Sequence, residues 1–210
     1  FDSCDIGILL NVTSDHLGFG GIDTLEELAR LKSTVPEAVK ASGYAILNAD
    51  DPLVLMRADK IKGKLILFSK DINNPKLLEN LEKGNMNISV INGNVVLQRP
   101  GGITYVENIN DIPITFEGKA TFNIDNVLAA VGATFLLGID VKDIRVGLNT
   151  FNPSISQSPG RMNIIDIGDY KVVIDYCHNV GSVHASGNFL RSLMPGRKIR
   201  AASGVGNRRT

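Results

Sequence analysis

The chain has 210 residues, of which 43% are hydrophobic, and its 22 basic residues balance its 22 acidic residues. This length can bury a sizeable core as one large domain or two small ones. A formal net charge of zero gives no electrostatic reason to expect nucleic acid or an anionic membrane surface as a partner. No apolar run reaches membrane-spanning length, so no membrane segment is predicted.

The cysteines and the ends of the chain indicate its setting. Cys4 and Cys177 lie in apolar contexts far apart in sequence, which predicts reduced buried thiols of a cytoplasmic protein. The N-terminus has no basic segment followed by an apolar region, so no signal peptide is predicted. Because the sequence does not begin with Met, we expect a fragment of a longer protein.

The first predicted strand ends in polar side chains that suit a binding site. A compact apolar run over residues 6–10 indicates a buried strand, and the stretch Asn11-Val12-Thr13-Ser14-Asp15-His16-Leu17 follows it. In open parallel sheets, ligands bind at the carboxyl ends of the strands. Asn11 and His16 are therefore candidates for hydrogen bonding and for metal ligation.

The helix that follows carries an unusually placed lysine. Thr24 and Glu27 form a capping-box pattern, which predicts that a helix begins there. Lys32 lies in the middle of the apolar side of this helix, where desolvation should lower the pKa of its ammonium group. That placement favours a nucleophile or, after reaction with carbon dioxide, an anionic metal ligand. Alternatively, the stem of Lys32 lies along the helix and its head reaches water. The apolar side consists of Leu25, Leu28, Ala29, Val35 and Val39.

Strands and helices alternate over the next part of the chain. Ser42-Gly43 is predicted to end the helix, and residues 44–47 and 64–69 are predicted strands. Between them, Asn48-Ala49-Asp50-Asp51-Pro52 is predicted to be a turn into a helix, with Asp50 or Asp51 as the N-cap and Pro52 at the first helical position. This alternation predicts a parallel sheet.

The pattern changes to short strands and turns over residues 85–116. A hairpin is predicted from residues 88–91 and 95–97, joined by Asn92-Gly93-Asn94, and further strands from residues 103–106 and 112–116. We interpret this region as a small antiparallel sheet appended to the parallel one.

A long helix is predicted from residue 122 to residue 137, ended by Gly138. Asn123 at its start can be explained by helix capping alone. Asn126 is more informative, because capping does not need a second Asn and a carboxamide can both donate to and accept from a purine edge. A further helix is predicted over residues 140–149, capped at Asp140.

A linker rich in Pro, Ser and Gly over residues 152–160 is the predicted domain boundary. Beyond it we expect a hairpin from residues 162–167 and 171–175, a helix over about residues 182–193, and a strand over residues 199–202. Arg161 in the linker can be explained as a residue paired with a carboxylate.

Five ordered motifs resemble a known family. They are Asn11-x-x-x-Asp15-His16-Leu17, residues 22–29, Phe122-Asn123-Ile124-Asp125-Asn126, Pro159-Gly160-Arg161-Met162-Asn163 and Asp175-Tyr176-Cys177-His178-Asn179. The chain resembles the Mur ligases and, more closely, the cyanophycin synthetases, which carry a Mur-ligase-like C-terminal region. The resemblance implies an α/β fold. Residues 1–157 would be part of a central ATP-binding domain, with a mostly parallel sheet, helices and a small antiparallel sheet. Residues 158–210 would begin a Rossmann-like C-terminal domain.

The resemblance also implies an activity and its site residues. A complete enzyme of this kind is an ATP-dependent amide ligase that uses Mg²⁺ and acts through an acyl-phosphate, here adding arginine to the aspartate side chain of a growing peptide-like polymer. Such enzymes tend to form homo-oligomers. The implied roles are magnesium ligation by His16 and by Lys32 as its carbamate, phosphate orientation by Asn11, and ATP binding by Asn123, Asn126, Arg161, Asp175 and His178.

Departures from the family pattern keep alternatives open. The family pattern has Ala and Pro where this chain has Cys177 and Val180, and acidic residues where it has Asn207 and Thr210. The sequence also contains no G-x-x-x-x-G-K-[ST] phosphate loop. The family carries that loop upstream of the Asn11 motif, so we expect the 210 residues alone to be inactive. The alternatives are another Mur-type ligase, for a cell-wall precursor or a folate, and a ligase-like binding protein that has lost catalysis.

Overall fold

The computed structural model describes residues 2–15, 17–18, 20–194, 196–199 and 201. Its main feature is a six-stranded sheet whose strands follow one another in chain order. Neighbours from β1 to β4 pair in parallel, whereas β5 and β6 each pair antiparallel to the preceding strand. A small antiparallel part thus extends the parallel sheet, as the sequence predicts. The strands are β1 Cys4–Leu9, β2 Val39–Asn48, β3 Lys64–Phe68, β4 Asn87–Ile91, β5 Asn94–Arg99 and β6 Gly102–Asn108.

Helices cover both faces of this sheet. A separate two-stranded hairpin lies between the last two of these helices in the chain. The hairpin pairs β7 Asn163–Asp166 with β8 Lys171–Ile174. Among the described residues, no helix is long and apolar enough to cross a membrane. The helices are α1 Leu25–Lys32, α2 Thr34–Glu37, α3 Pro52–Leu55, α4 Pro75–Glu82, α5 Thr121–Leu136, α6 Val141–Thr150 and α7 Val180–Ser192, with 3₁₀ turns at Ala58–Lys60, Ile109–Asp111 and Pro113–Thr115.

The buried strands separate two apolar cores because successive side chains of a strand point to opposite faces. Ile46 belongs to the core shared with Leu128 of α5, and it is fully buried. Its neighbour Leu47 belongs to the other core, with Leu28 of α1 and Leu77 of α4. Burying each such side chain stabilises the fold by roughly 1.5–3 kcal/mol. The sheet is therefore the middle layer of a three-layer α/β unit.

The helix that carries Lys32 is shorter than predicted. Its capping box is confirmed, with Thr24 Oγ1 accepting from the Glu27 N–H. It ends at Lys32, since an unbroken helix would need an N–H at Pro36 to donate to the Lys32 carbonyl. Val35 lies in the separate α2 and Val39 in β2, so the prediction that they extend the apolar side is wrong.

The prediction that Gly43 ends a helix is wrong. Gly43 lies inside β2, which begins at Val39. A Cβ atom at Gly43 would lie only 2.4 Å from the backbone oxygen of Asp5 in the neighbouring strand. Glycine is therefore present because β1 approaches too closely for a side chain.

The predicted strand over residues 112–116 is also wrong, because this segment forms 3₁₀ turns. Pro113 cannot donate to a strand ladder. The buried Thr115 hydroxyl donates to the Ile112 carbonyl at 2.8 Å and stabilises the turn instead. The other predicted strands of this region are confirmed as β4, β5 and β6.

The predicted elements of the C-terminal segment are largely present. The hairpin is confirmed as β7 and β8, and α7 begins at Val180, two residues before the predicted start. Residues 200 and 202 of the predicted last strand lie outside the described residues, as does the loop from residue 204 to 210 that contains Asn207 and Thr210.

Candidate functional site

The carboxyl ends of the first parallel strands are tied together by side chains. Asn48 at the end of β2 donates from Nδ2 to the Leu10 carbonyl at 2.9 Å, and the Val12 N–H donates to Asp51 Oδ2 at 2.8 Å. These bonds fix the segment after β1, where Asn11 remains exposed to solvent.

The capping role predicted for the run from Asn48 to Pro52 is confirmed. Asp51 Oδ1 accepts from the Leu53 and Val54 N–H groups at 2.9 and 3.3 Å, and Pro52 occupies the first position of α3. Asp50 instead accepts from the Ser69 hydroxyl at 2.6 Å, which ties the ends of β2 and β3 together. Each acidic side chain of the run therefore has a structural role.

Asn123 and Asn126 form a pair at the start of α5. Asn123 is buried, donates from Nδ2 to the Ile114 carbonyl at 2.7 Å, and accepts from Asn126 Nδ2 at 3.1 Å. The expectation that Asn123 caps the helix is wrong, because Ala120 occupies the N-cap position and Asn123 lies inside the helix. Its amide instead fixes the orientation of Asn126, which is exposed.

Asp125 lies between these two residues and pairs with Lys70, whose Nζ lies 2.6 Å from the carboxylate. Burial nevertheless raises the pKa of Asp125, because the cost of desolvating the carboxylate outweighs the attraction of Lys70. This pair joins α5 to the segment after β3.

Arg161 and Asp175 lie close together at the base of the hairpin. Asp175 Oδ2 accepts from the Met162 N–H at 2.9 Å, and the Tyr176 N–H donates to the Gly160 carbonyl at 2.7 Å. The guanidinium of Arg161 lies 5.2 Å from the centre of the Tyr176 ring, within the range of a cation–π contact. The linker is thereby fixed against the end of β8.

His178 contacts both its own segment and the loop after β1. Its Nδ1 lies 2.8 Å from the Tyr176 carbonyl oxygen, and its Nε2 lies 3.3 Å from Asp15 Oδ2. Because both partners are acceptors, both contacts are hydrogen bonds when the ring carries two protons. Asn179 Nδ2 donates to the same Asp15 oxygen at 3.3 Å, while its Oδ1 caps α7 through the Ser182 N–H.

These side chains surround one cleft of about 600 Å³, a size typical of small-molecule sites. It lies between two walls, which we define by their polar residues. The sheet-side wall consists of Asn11, Thr13, Asn123 and Asn126, and the C-terminal wall consists of Ser158, Arg161, Asp175, His178, Asn179, Ser182 and Ser186.

Six of the eight predicted site residues therefore line one cleft. His16 lies outside the described residues, and Lys32 is not among the residues that line the cleft. Lys32 is half-buried at the C-terminal end of α1, where the helix dipole favours a cation. Its predicted position in the middle of an apolar side is wrong, because α1 ends there.

The described side chains do not supply the ligand set of a magnesium ion. No cluster of three or more His, Cys, Asp or Glu that could hold a metal occurs among the described residues. Asp15 and Asp175 already accept hydrogen bonds from protein groups. The described side chains do not by themselves form a magnesium site.

Asp15, Tyr176 and Asn179 contact predicted site residues or one another, and the sequence assigns no individual role to any of them. Asp15 precedes the predicted ligand His16, and Asn179 with Ser182 has the pattern of a helix start. Asp15 contacts His178 and Asn179, which follow it by 163 and 164 positions in the sequence, so no local pattern reveals these contacts.

A comparison with protein families shows which family this chain belongs to. A family model for the Mur ligase middle domain matches residues 2–134. The chain belongs to the Mur ligase family. The cyanophycin synthetase of Geminocystis herdmanii (strain PCC 6308) is 43% identical over 209 residues, which is 100% of this chain and 24% of that protein.

Solved Mur ligase structures share the fold. MurF from Acinetobacter baumannii aligns with a TM-score of 0.62 at 22% identity, over 89% of this chain and 37% of that chain. MurF ligase from Thermotoga maritima in complex with ADP aligns with a TM-score of 0.57 at 19% identity, over 90% and 39% respectively. This Mur ligase chain spans about a quarter of the length of its cyanophycin synthetase relative.

Proposed function

We propose that this chain forms the nucleotide cleft of an ATP-dependent amide ligase, specifically a cyanophycin synthetase that adds arginine to the aspartate side chain of a growing polymer. One observation carries the proposal. Six residues predicted from separate motifs to act on ATP or its phosphates line one cleft. The identity to a cyanophycin synthetase over the whole chain supports the choice of substrate.

The residues of the cleft suit the parts of a nucleotide. Asn126 is exposed and held by Asn123, so its carboxamide can read a purine edge. Arg161 offers a planar cation for phosphate oxygens, and Tyr176 restricts its orientation. The N-terminus of α7 at Asn179 favours anionic groups nearby. Asn11, exposed on the opposite wall, has a side-chain amide that can donate to a phosphate or acyl-phosphate oxygen.

The reaction proposed for the complete enzyme has two steps. The side-chain carboxylate of the polymer attacks the γ-phosphorus of ATP, forming an acyl-phosphate and releasing ADP. The α-amine of arginine then attacks the acyl carbon, loses a proton and displaces inorganic phosphate, which leaves an amide. A bound magnesium ion would neutralise the crowded phosphate oxygens. His16 and the carbamate of Lys32 are its proposed ligands. The described residues do not by themselves form this metal site.

Nucleotide binding tests the role of Asn126. Asn126→Ala in the full-length protein carrying this chain should weaken ATP binding by about 10-fold, the effect of losing one or two hydrogen bonds. Asn73→Ala is the matched control, because Asn73 is exposed in a loop and is not among the residues that line the cleft. Calorimetric titration with ATP measures both variants. Equal dissociation constants for the two would refute the proposed contact with adenine.

Amine selection tests the ligase assignment. ATP hydrolysis by the full-length protein should require both an aspartate polymer and arginine, whereas the 210 residues alone should show no turnover. Hydrolysis driven by a cell-wall precursor or by a folate and glutamate would instead assign another Mur-type ligase. Binding of ATP without hydrolysis under any of these conditions would assign a catalytically inactive protein.

A further inference from the structure

One carboxylate joins the two walls of the cleft. Asp15 lies in the loop after β1, on the side of the sheet-side wall, and its Oδ2 contacts two residues of the C-terminal wall. Those contacts are His178 Nε2 and Asn179 Nδ2, each at 3.3 Å. The side chains of Asp15 and His178 are only 12% and 20% exposed, so this contact is largely shielded from water.

We propose that Asp15 is a positioning residue that sets the width of the nucleotide cleft by holding its two walls together; this rests on the proposed function of the cleft. A shielded carboxylate is costly to desolvate unless it is paired and hydrogen-bonded. Two contacts of this oxygen come from the C-terminal wall, so separating the walls breaks both of them.

The neighbouring backbone supports close contact at this point. A Cβ atom at Gly181, in the first turn of α7, would lie 3.4 Å from Thr13 Cγ2. The start of α7 therefore rests directly on the loop that carries Asp15. The carboxylate also lies beside the N-terminus of α7, whose dipole stabilises a negative charge.

A second joint holds the C-terminal segment independently of Asp15. Phe189 of α7 is fully buried and its ring lies 5.0 Å from that of Phe116, centre to centre. Ala120 and Met162 belong to the same apolar cluster. This cluster should keep the segment attached when Asp15 is removed, so the walls would separate about the cluster while the chain remains folded.

The distance between the walls tests the proposal without any nucleotide. Spin labels carried on p-acetylphenylalanine at Glu26 in α1 and His184 in α7 leave both cysteines unmodified, and both positions are exposed. In the full-length protein, Asp15→Ala should broaden the label-to-label distance distribution and shift it to longer distances. Asp15→Asn, which keeps the shape of the side chain but not its charge, tests the same contact if the alanine variant fails to fold. Asp23→Asn is the matched control, because it removes one exposed carboxylate from the same region.

Kinetics separate a positioning role from a merely structural one. With the walls no longer held, KM for ATP should rise by about 10-fold, as expected from losing a charge-assisted contact, with a smaller change in kcat. A general loss of folded protein would lower the apparent kcat without moving KM. Distance distributions for the Asp15 variants identical to that of Asp23→Asn would overturn the inference, even if ATP binds. Broadened distributions in a protein that binds no nucleotide would support the contact and refute the proposed function instead.

Discussion

Replacing Asp51 by Ala tests whether the acidic run after β2 acts through structure. Asp51 makes two kinds of contact: its Oδ1 caps α3, and its Oδ2 accepts from the Val12 N–H at 2.8 Å. Losing an N-cap costs about 0.5–2 kcal/mol, and losing a hydrogen bond to a charged group costs about 1.5–3 kcal/mol. The free energy of unfolding should therefore fall by roughly 2–5 kcal/mol. Urea unfolding followed by far-UV circular dichroism measures this change.

Two further variants make the result specific to these contacts. Asp51→Asn should be intermediate, because Asn caps helices well but its amide nitrogen cannot accept from Val12. Asp59→Ala is the matched control, since Asp59 is exposed and its carboxylate forms an ion pair with the neighbouring exposed Lys60 at 3.1 Å. The control should change stability by less than about 0.5 kcal/mol. If Asp51→Ala were as stable as Asp59→Ala, the capping explanation would be wrong. An additional loss of ATP affinity in a stable Asp51→Ala variant would point to a role at the nucleotide.

Three other changes follow from packing and charge. Gly43→Ala should destabilise the chain by about 1–3 kcal/mol, because its Cβ would lie 2.4 Å from the Asp5 backbone oxygen; urea unfolding measures it. Gly147→Ala, in an exposed part of α6 where a Cβ meets no atom within 4 Å, should instead stabilise by about 0.5–1 kcal/mol in the same assay. The pKa of Asp125 is raised in the folded protein. The contribution of its carboxyl group to the free energy of unfolding is therefore fully present below the unfolded pKa of about 3.9 and is lost as pH rises through the folded pKa. Asp125→Asn should therefore gain stability relative to the parent as pH rises through that window, although the variant leaves Lys70 without this partner. Equal pH dependence of the free energies of unfolding of the two proteins would contradict the raised pKa.

The elements that could be predicted from sequence are those whose signals are local. The capping box at Thr24, the helix start at Pro52 and the hairpin around Asn92-Gly93 each depend on residues a few positions apart. The apolar runs of the parallel strands are similarly local, since both faces of these strands are buried. These features were sufficient to predict an α/β fold with its antiparallel extension.

The errors occur where distant backbone decides the structure. Gly43 has the pattern of a helix end, but the close approach of β1 explains it. The position of Asn123 near the predicted helix start favours a capping role, yet its amide donates to the Ile114 carbonyl of a preceding 3₁₀ turn. The backbone near Gly43 and the carbonyl bonded to Asn123 both belong to segments outside the local sequence motif. The roles of Gly43 and Asn123 therefore become visible only in the folded structure. The contact of Asp15 with His178 belongs to the same class.

The polar side chains of the cleft divide into groups committed to structure and groups accessible to a ligand. Asn123 is buried between two hydrogen-bond partners, so turning toward a ligand would leave the Ile114 carbonyl unpaired, at a cost of about 1–3 kcal/mol. Asn11, Asn126 and Arg161 are exposed and carry no such cost. Binding energy at this cleft should therefore come mainly from the exposed groups, while the buried ones act by fixing where the exposed groups point. The buried residues of a motif are then as necessary as the exposed ones, but their loss is expected to appear first as lower stability and poorer orientation of their neighbours.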